Sequence, residues 1–378
     1  MYSVAYKHPA STMSAQSILC MLLLSITYCI QPTLSKKYID KRISVGSIAM
    51  VEETFKLIMG SSLFFLSCSS SSPSSSSWKD IISNWDLHTS LIVAAIPAFI
   101  YSIQGILTYT SYQYLNAVTF NGLSQTKMLS AAFCCYFLLG KRQSMVQIVS
   151  LLLLVCSALF FQGTISTKSI LSSSSNLVTK KKESSKNSTE KLRKKQNHNQ
   201  KYLLYGVLPC MAATFMSGLA GALSQKGLQM TGGANGRNPF LYTMEVSFFT
   251  GVFLFLSKVI KFMFSSKNHT QLKPATSNTT ASIDDKSSHV DSNYFQYWSW
   301  KTLIPIFIKA SGGLLTALVH KYAGSVLKGF ALVLGLVFSG VLQSFKDEKP
   351  LSLDQLFGTL LVLVSTWLHF TCPPAASS

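Results

Sequence analysis

The sequence predicts an all-α membrane protein with ten transmembrane helices in two inverted five-helix repeats. Hydrophobic residues make up 48% of the 378-residue chain, charged residues only 12%, and the mean hydropathy is +0.31. A soluble protein of this length would carry far more charge. The chain contains ten apolar runs, each near the ~20 residues that a helix needs to cross a bilayer. A polar stretch divides these runs into five and five.

The apolar runs place the expected spans along the chain. They lie at 14–31, 43–67, 89–113, 116–139 and 143–163, then at 202–230, 238–264, 302–322, 324–345 and 351–371. We expect a first repeat over 1–163, a second over 201–372 and a tail over 373–378. Identity between the halves is weak, as in other inverted repeats. Residues 14–30 lack a small-residue cleavage site and are interpreted as a retained span.

Three Ser-, Lys- and Asn-rich segments interrupt the spans, at 67–77, 164–200 and 265–293. None has a periodic apolar face, so we expect each to be disordered. The formal charge of +19 is concentrated in 164–200 and between the apolar runs, which argues against nucleic-acid binding. Most of the eight cysteines lie inside apolar runs without metal-ligand spacing. No disulfide framework, metal site or cofactor is therefore expected.

Two signals disagree about orientation. With a cytosolic N-terminus, the cluster Lys36, Lys37, Lys41, Arg42 and the basic 164–200 linker become lumenal, against the positive-inside rule. The same orientation makes the sequons at Asn187, Asn268 and Asn278 lumenal, in loops where glycosylation occurs. We favour cytosolic termini.

Two lysines lie within apolar runs. Lys127 is near the middle of the span 116–139, and Lys328 interrupts the run 312–345. An unpaired charge at such depth costs at least ~3 kcal/mol, so each lysine needs a carboxylate, a wet cavity or an anionic ligand. Glu245 and Glu53 are candidate structural partners for Lys127. We favour the other interpretation, a phosphate of a ligand.

Further polar side chains could face the same cavity. Glu53 and Lys56, three residues apart, can pair on one helix face. Tyr101 and Gln104 lie deep in the third span, beyond an interfacial aromatic belt.

The second half has weaker candidates. Asn238 and Tyr242 share a helix face and could bind a nucleobase or sugar. The run Ser217–Gly221 predicts close helix packing. His320 is expected to be a solvated cap at a helix end, and Lys321 an interfacial residue.

Five motifs point to one family. They are Met50-Val-Glu-Glu-Thr-Phe-Lys56-Leu, Ala117-Val-Thr-Phe-Asn-Gly-Leu-Ser-Gln-Thr-Lys127, Ser217-Gly-Leu-Ala-Gly, Arg237-Asn238 and Gly312-Gly-Leu-Leu…Lys321-Tyr-Ala-Gly-Ser-Val-Leu-Lys328-Gly-Phe-Ala. Together they resemble the nucleotide-sugar transporter family, in its CMP-sialic acid, UDP-galactose and UDP-N-acetylglucosamine branch. The resemblance implies a ten-helix drug/metabolite-transporter fold in the Golgi membrane, or less favourably the endoplasmic reticulum. It also implies an antiporter that exchanges cytosolic nucleotide sugar for lumenal nucleoside monophosphate.

The resemblance also assigns site residues. It implies that Lys127 and Lys328 meet the substrate phosphates. Further substrate-binding candidates are Met50, Glu53, Lys56, Tyr101, Gln104, Ser217, Asn238 and Tyr242.

Four positions depart from the family pattern. Its asparagine pair after the Gln104 position is Gly105-Ile106, its tyrosine in the fourth span is Phe120, its Glu-Lys is Gln225-Lys226, and its Asp-Asn is Gly324-Ser325. The lysines survive while several neutral ligands have changed. The sugar therefore stays open among UDP-galactose, UDP-N-acetylglucosamine and CMP-sialic acid.

Other functions stay open at this point. The chain could transport another solute, or it could be a non-transporting scaffold whose lysines pair with Glu53 and Glu245. No catalytic triad order and no metal-spaced histidines indicate an enzyme. The expected partners are a nucleotide sugar, a nucleoside monophosphate and the lipid bilayer, but not nucleic acid. Homodimer formation is left open.

Overall fold

The computed structural model describes residues 14–40, 42–69, 85–115, 117–163, 202–230, 236–269, 295–348 and 350–371. Within these ranges the chain is helical and has no strand. The predicted linker 164–200 and the tail 373–378 lie outside the described residues, as do most of the predicted linkers 67–77 and 265–293.

The first half forms six helices in the described ranges. They are α1 (Ala15–Tyr38), α2 (Val45–Ser69), α3 (Ile96–Tyr114), α4 (Ala117–Ser124), α5 (Lys127–Leu139) and α6 (Met145–Phe161). A short helix, Leu87–Ser90, and a π-helical turn, Leu91–Ala95, lead into α3. Helix α1 continues through Pro32, past its predicted end at residue 31. The span expected at 116–139 is broken, because the Thr126 hydroxyl donates to Leu123 O at 2.7 Å and the local amides form tight turn bonds.

The second half follows the predicted spans closely. Its helices are α7 (Leu208–Met230), α8 (Pro239–His269), α9 (Leu303–Tyr322), α10 (Ser325–Asp347) and α11 (Leu353–Thr371). Helices α2 and α8 extend into the segments expected to be disordered, so residues 67–69 and 265–269 are helical. Asn268 therefore lies in the last turn of α8, and its predicted loop position is wrong.

Seven helical segments in the described part of the chain are long and apolar enough to cross a membrane. Helix α2 falls short of this standard because it carries Glu52, Glu53 and Lys56. The broken pair α4 and α5 and the 17-residue α6 are too short. The prediction of ten spans stays a prediction, while the all-helical membrane architecture is confirmed.

The helices pack in pairs that join the two halves. Helix α1 packs against α9 and α10, α7 packs against α3 and α5, α2 packs on α8, and α6 packs on α11. The largest apolar core lies between α1, α6 and α10, where Leu24, Leu154 and Phe330 are fully buried. Neither half therefore buries its apolar faces alone.

The turn between α1 and α2 contains an exposed ion pair. Arg42 Nη2 lies 2.7 Å from Asp40 Oδ2, and its guanidinium lies 4.3 Å from the Tyr297 ring centre. Hydrogen bonds from Arg42 lower the pKa of Asp40 to about 2. Arg42 is one of the basic residues that argue against a lumenal position for this turn, and Asp40 neutralises its charge.

Gly218 is the closest contact between α7 and α5. A Cβ atom at this position would lie 2.6 Å from the backbone nitrogen of Ala131. The close packing predicted for Ser217–Gly221 is confirmed, and it fixes the start of α5 against α7.

We expect Gly218→Ala to destabilise the protein by about 1–3 kcal/mol, because the added methyl group forces two helix backbones apart. Gly251→Ala in α8 is the matched control, since a Cβ atom there meets nothing within 4 Å. It should be neutral or stabilise by up to ~1 kcal/mol. Thermal unfolding midpoints of the detergent-purified variants test this, and equal midpoints would contradict the close packing.

Candidate functional site

The structure brings Lys127 and Lys328 together. Lys127 is the first residue of α5, and Lys328 lies in the first turn of α10. The residues that follow them are in contact, since a Cβ atom at Gly329 would lie 3.3 Å from Met128 Cγ. The two ammonium groups are close enough to repel each other. Each also lies near a helix N-terminus, where the helix dipole adds positive potential.

Glu245 is not the partner of Lys127. Its carboxylate accepts two hydrogen bonds from the Arg237 guanidinium, one of them 3.1 Å long from Nε, and a third of 2.6 Å from Trp85 Nε1. The planar guanidinium matches a carboxylate with two parallel bonds, which a lysine cannot do. Glu245, one of the two candidate structural partners of Lys127, therefore pairs with Arg237 instead.

Glu53 is also engaged elsewhere. Lys56 Nζ lies 3.0 Å from Glu53 Oε1 and 2.8 Å from Glu52 Oε1, and Lys309 Nζ of α9 lies 2.8 Å from Glu52 Oε2. The predicted Glu53–Lys56 pair is confirmed, but it belongs to a four-membered cluster with balanced charge. Among the described residues, no carboxylate pairs with either Lys127 or Lys328. This removes the pairing on which the scaffold interpretation depended.

Two of the predicted tyrosines approach each other beside the ion-pair cluster. The hydroxyl groups of Tyr101 on α3 and Tyr242 on α8 both lie near Ser224 of α7. Tyr242 is 4% exposed, and although Ser224 lies near its hydroxyl, the two do not meet at hydrogen-bond geometry, so the hydroxyl has no partner within the described ranges. Tyr101 also lies within electrostatic range of Lys56. A buried hydroxyl without a partner is unfavourable by ~1–3 kcal/mol, so this position can accept a polar ligand group.

The remaining predicted residues have lesser roles in the structure. Asn238 caps α8, because its Oδ1 accepts from the backbone nitrogen of Phe240 at 2.9 Å. Its side-chain oxygen is therefore committed to the fold. Met50 and Gln104 are partly exposed and lie one turn from Glu53 and Tyr101, and Ser217 adjoins the close contact at Gly218.

One face of α9 connects the two polar groups. A Cβ atom at Gly313 would lie 2.7 Å from Lys56 Cε, Thr316 lies beside Tyr28, and His320 contacts Lys328. The spacing of three and then four residues places these positions on one stripe. The rise of an α-helix makes the stripe about 10 Å long. The α9 stripe thus runs from the ion-pair cluster to the paired lysines.

His320 differs from its prediction. It is 2% exposed, with Nδ1 2.9 Å from Ser325 Oγ and Nε2 3.5 Å from Lys328 Nζ. The expectation of a solvated cap is wrong, because α10 turns back over the imidazole ring. Lys321 remains partly exposed, with its ammonium 5.7 Å from the Tyr322 ring centre.

Sequence reasoning missed Glu52, Lys309 and the burial of His320. Glu52 stands beside Glu53 in the motif of α2, but its second partner lies on a helix of the other half. No local spacing indicates such a pair. The departure at Gln225 was visible, and this residue accepts a 2.8 Å hydrogen bond from the Ser325 backbone nitrogen.

Known proteins resemble this chain along most of its length. A UDP-N-acetylglucosamine transporter of Arabidopsis thaliana, ROCK1, is 29% identical over 364 residues, covering 96% of this chain and 94% of that protein. The UDP-N-acetylglucosamine transporter of Rattus norvegicus is 26% identical, covering 75% of this chain and 72% of its own length. A UDP-galactose transporter of Schizosaccharomyces pombe is 23% identical, covering 73% and 64%.

A solved crystal structure of another protein shares the fold, with a TM-score of 0.54 at 8% identity over 94% of this chain and 97% of that one. The sequence profile described as nucleotide-sugar transporter matches residues 9–370. The family consists of transporters, which confirms the expectation of a transporter rather than an enzyme. The chain belongs to the nucleotide-sugar transporter family, and it is a multi-pass membrane protein.

Proposed function

We propose that the protein is an antiporter of the Golgi membrane. It moves a pyrimidine nucleotide sugar into the lumen and returns a nucleoside monophosphate by alternating access. The motif resemblance supports the location and the exchange, and the geometry of the two lysines supports the ligand class.

The observation that carries the proposal is the pair Lys127 and Lys328. The two lysines lie within electrostatic range of each other in a helical membrane protein, while the carboxylates Glu52, Glu53 and Glu245 are bound by other cations. Each uncompensated cation at this depth costs at least ~3 kcal/mol. A phosphate or diphosphate bound between them would remove that cost and satisfy the adjoining helix N-termini.

The α9 stripe supports a particular placement of the ligand. Phosphates bind at Lys127 and Lys328, and the uncharged base or sugar extends about 10 Å along α9 toward Tyr101 and Tyr242. Hydroxyl and amide groups in that direction can bind base edges or sugar hydroxyls. The unpartnered hydroxyl of Tyr242 is the first candidate for such a contact.

The relatives favour a uridine nucleotide. The plant and rat proteins are named for UDP-N-acetylglucosamine and the yeast protein for UDP-galactose. We therefore place UDP-N-acetylglucosamine first, UDP-galactose second and CMP-sialic acid third among the substrates.

The helix packing supports an inverted-repeat architecture. When α1, α2, α3, α5 and α6 are exchanged for α7, α8, α9, α10 and α11, the six most extensive helix contacts are preserved. The pair α1 and α9 becomes α7 and α3, the pair α1 and α10 becomes α7 and α5, and the pairs α2–α8 and α6–α11 map onto themselves. Rocking of one repeat against the other about the lysine pair would then expose the site to each side in turn.

Electrostatics accounts for exchange in this proposal. The empty carrier keeps two uncompensated cations, whereas either loaded form is neutralised by phosphate. If closing the cavity expels water, the loaded carrier crosses more readily than the empty one. Return of the carrier then requires a nucleotide on the opposite side.

We expect Lys127→Ala and Lys328→Ala each to lower the initial rate of UDP-N-acetylglucosamine uptake into UMP-loaded proteoliposomes by at least about tenfold, a loss of ~1.4 kcal/mol. Lys346→Ala is the matched control, since Lys346 lies exposed on the same helix as Lys328. It should transport normally. Normal uptake by both Lys127→Ala and Lys328→Ala would overturn the assignment of the phosphate to these lysines.

We expect wild-type uptake into UMP-loaded vesicles to exceed uptake into empty vesicles by at least about tenfold. The reason is that the empty carrier must return with two unneutralised lysines in a closed cavity, and each costs at least ~3 kcal/mol. Competition by unlabelled UDP-galactose, CMP-sialic acid, UMP and CMP in the same assay ranks the ligands. Equal uptake into loaded and empty vesicles would rule out strict exchange.

A further inference from the structure

His320 is the one histidine in the described residues that contacts either paired lysine. We propose that it is a positioning residue for Lys328, holding the ammonium in the direction that meets the substrate phosphate. This rests on the proposed function and deepens it, because nothing in the motif resemblance gives a role to this position.

The hydrogen bonds around His320 assign its tautomer. The single proton of the Ser325 hydroxyl is directed at Gly221 O, 2.6 Å away, because a carbonyl can only accept. The 2.9 Å contact between Ser325 Oγ and His320 Nδ1 must then use the Nδ1 proton. In a neutral ring this leaves Nε2 with its lone pair.

That lone pair faces the lysine. Lys328 Nζ lies 3.5 Å from Nε2, at the long end of hydrogen-bond distances, and an ammonium can only donate. One of its three protons is directed at the imidazole, and the remaining two are free for phosphate oxygens. A neutral acceptor orients the ammonium without cancelling its charge, as a carboxylate would.

The ring itself is held by α7. The ring packs beside Gly221, where a Cβ atom would make an ordinary van der Waals contact 3.5 Å from His320 Cε1. Gln229, also on α7, holds the backbone at the end of α9. Its Nε2 donates to the backbone oxygens of His320 and Lys321, at 2.9 Å each. The backbone of the turn and the side chain of His320 are therefore fixed by the same helix.

Two of the four departures from the family pattern, those at Gln225 and at Gly324-Ser325, meet at this point. Gln225 Oε1 accepts from the Ser325 backbone nitrogen at 2.8 Å, and a Cβ atom at Gly324 would lie 2.9 Å from Gln225 Nε2. Gly324 also has φ +96°, which an aspartate adopts only with strain. The neutral residues Gln225, Gly324 and Ser325 thus form one unit, and this unit places His320 against Lys328.

Two substitutions separate positioning from packing. His320→Gln keeps an acceptor that reaches toward Lys328, whereas His320→Asn keeps a donor for Ser325 but is too short to reach the lysine. Both are measured in the full-length protein in proteoliposomes. The readout is the inhibition constant of uridine divided by that of UMP. This ratio isolates the contribution of the phosphate to binding.

We expect His320→Asn to lower this ratio by about tenfold and His320→Gln to keep it within about threefold of wild type, with the loss confined to phosphate-bearing ligands. A packing role alone would weaken uridine and UMP equally and leave the ratio unchanged. An unchanged ratio in a folded His320→Asn variant overturns the proposal.

A second variant keeps the test decisive when His320→Asn does not fold. Ser325→Ala removes the oxygen that accepts from His320 Nδ1, so the ring loses its fixed tautomer. The ratio of inhibition constants should then lie between the values for His320→Gln and His320→Asn. No change with Ser325→Ala overturns the proposal. Lys328→Ala distinguishes failure of this inference from failure of the proposed function. An unchanged ratio in Lys328→Ala would show that Lys328 does not bind the phosphate, which contradicts the proposed function itself.

Discussion

Mutual repulsion between Lys127 and Lys328 is the constraint on which the site depends. Their helices α5 and α10 begin at the site, so the positive ends of two helix dipoles add to two ammonium groups. The nearby acids do not relieve this charge, because Arg237 binds Glu245 and the α2 lysine binds Glu53. Among the described residues no carboxylate pairs with these lysines, and in the proposed function the substrate phosphate neutralises them.

Helix α9 connects the paired lysines to the ion-pair cluster of α2, and in the proposed function the nucleotide sugar lies along it. Gly313 lets Lys56 lie flat against the helix, Thr316 adjoins Tyr28, and His320 reaches Lys328. Because this helix packs on both α1 and α2 of the other half, its polar stripe lies along the boundary between the repeats. A ligand bound there contacts both halves, which is the condition for coupling its binding to their relative movement.

Much of the fold follows from hydropathy, since the apolar length of each run sets the length of its helix. The predicted limits 202 and 322 agree with the structure, where a π-helical turn, Tyr202–Val207, leads into α7 and where α9 ends at Tyr322. The pairs that cross between helices do not follow from sequence. Periodicity identifies the polar face of α2 but not that Lys309 of α9 lies against it. The burial of His320 was missed for the same reason, because it depends on how α10 folds back.

The lysines themselves were predictable, because a charge in an apolar run needs a compensating group whatever the fold. Their surroundings were not predictable, and the surroundings decide how unfavourable the positive charge is in the empty site. With a carboxylate beside Lys328, the empty carrier could neutralise itself and cross without a ligand. Here the contacting group is the imidazole of His320, which is held by the Ser325 hydroxyl, and a neutral imidazole leaves the charge of Lys328 intact. In the proposed exchange, the neutral residues Gln225, Gly324 and Ser325 leave the empty carrier charged, so that the phosphate-loaded carrier crosses more readily than the empty one.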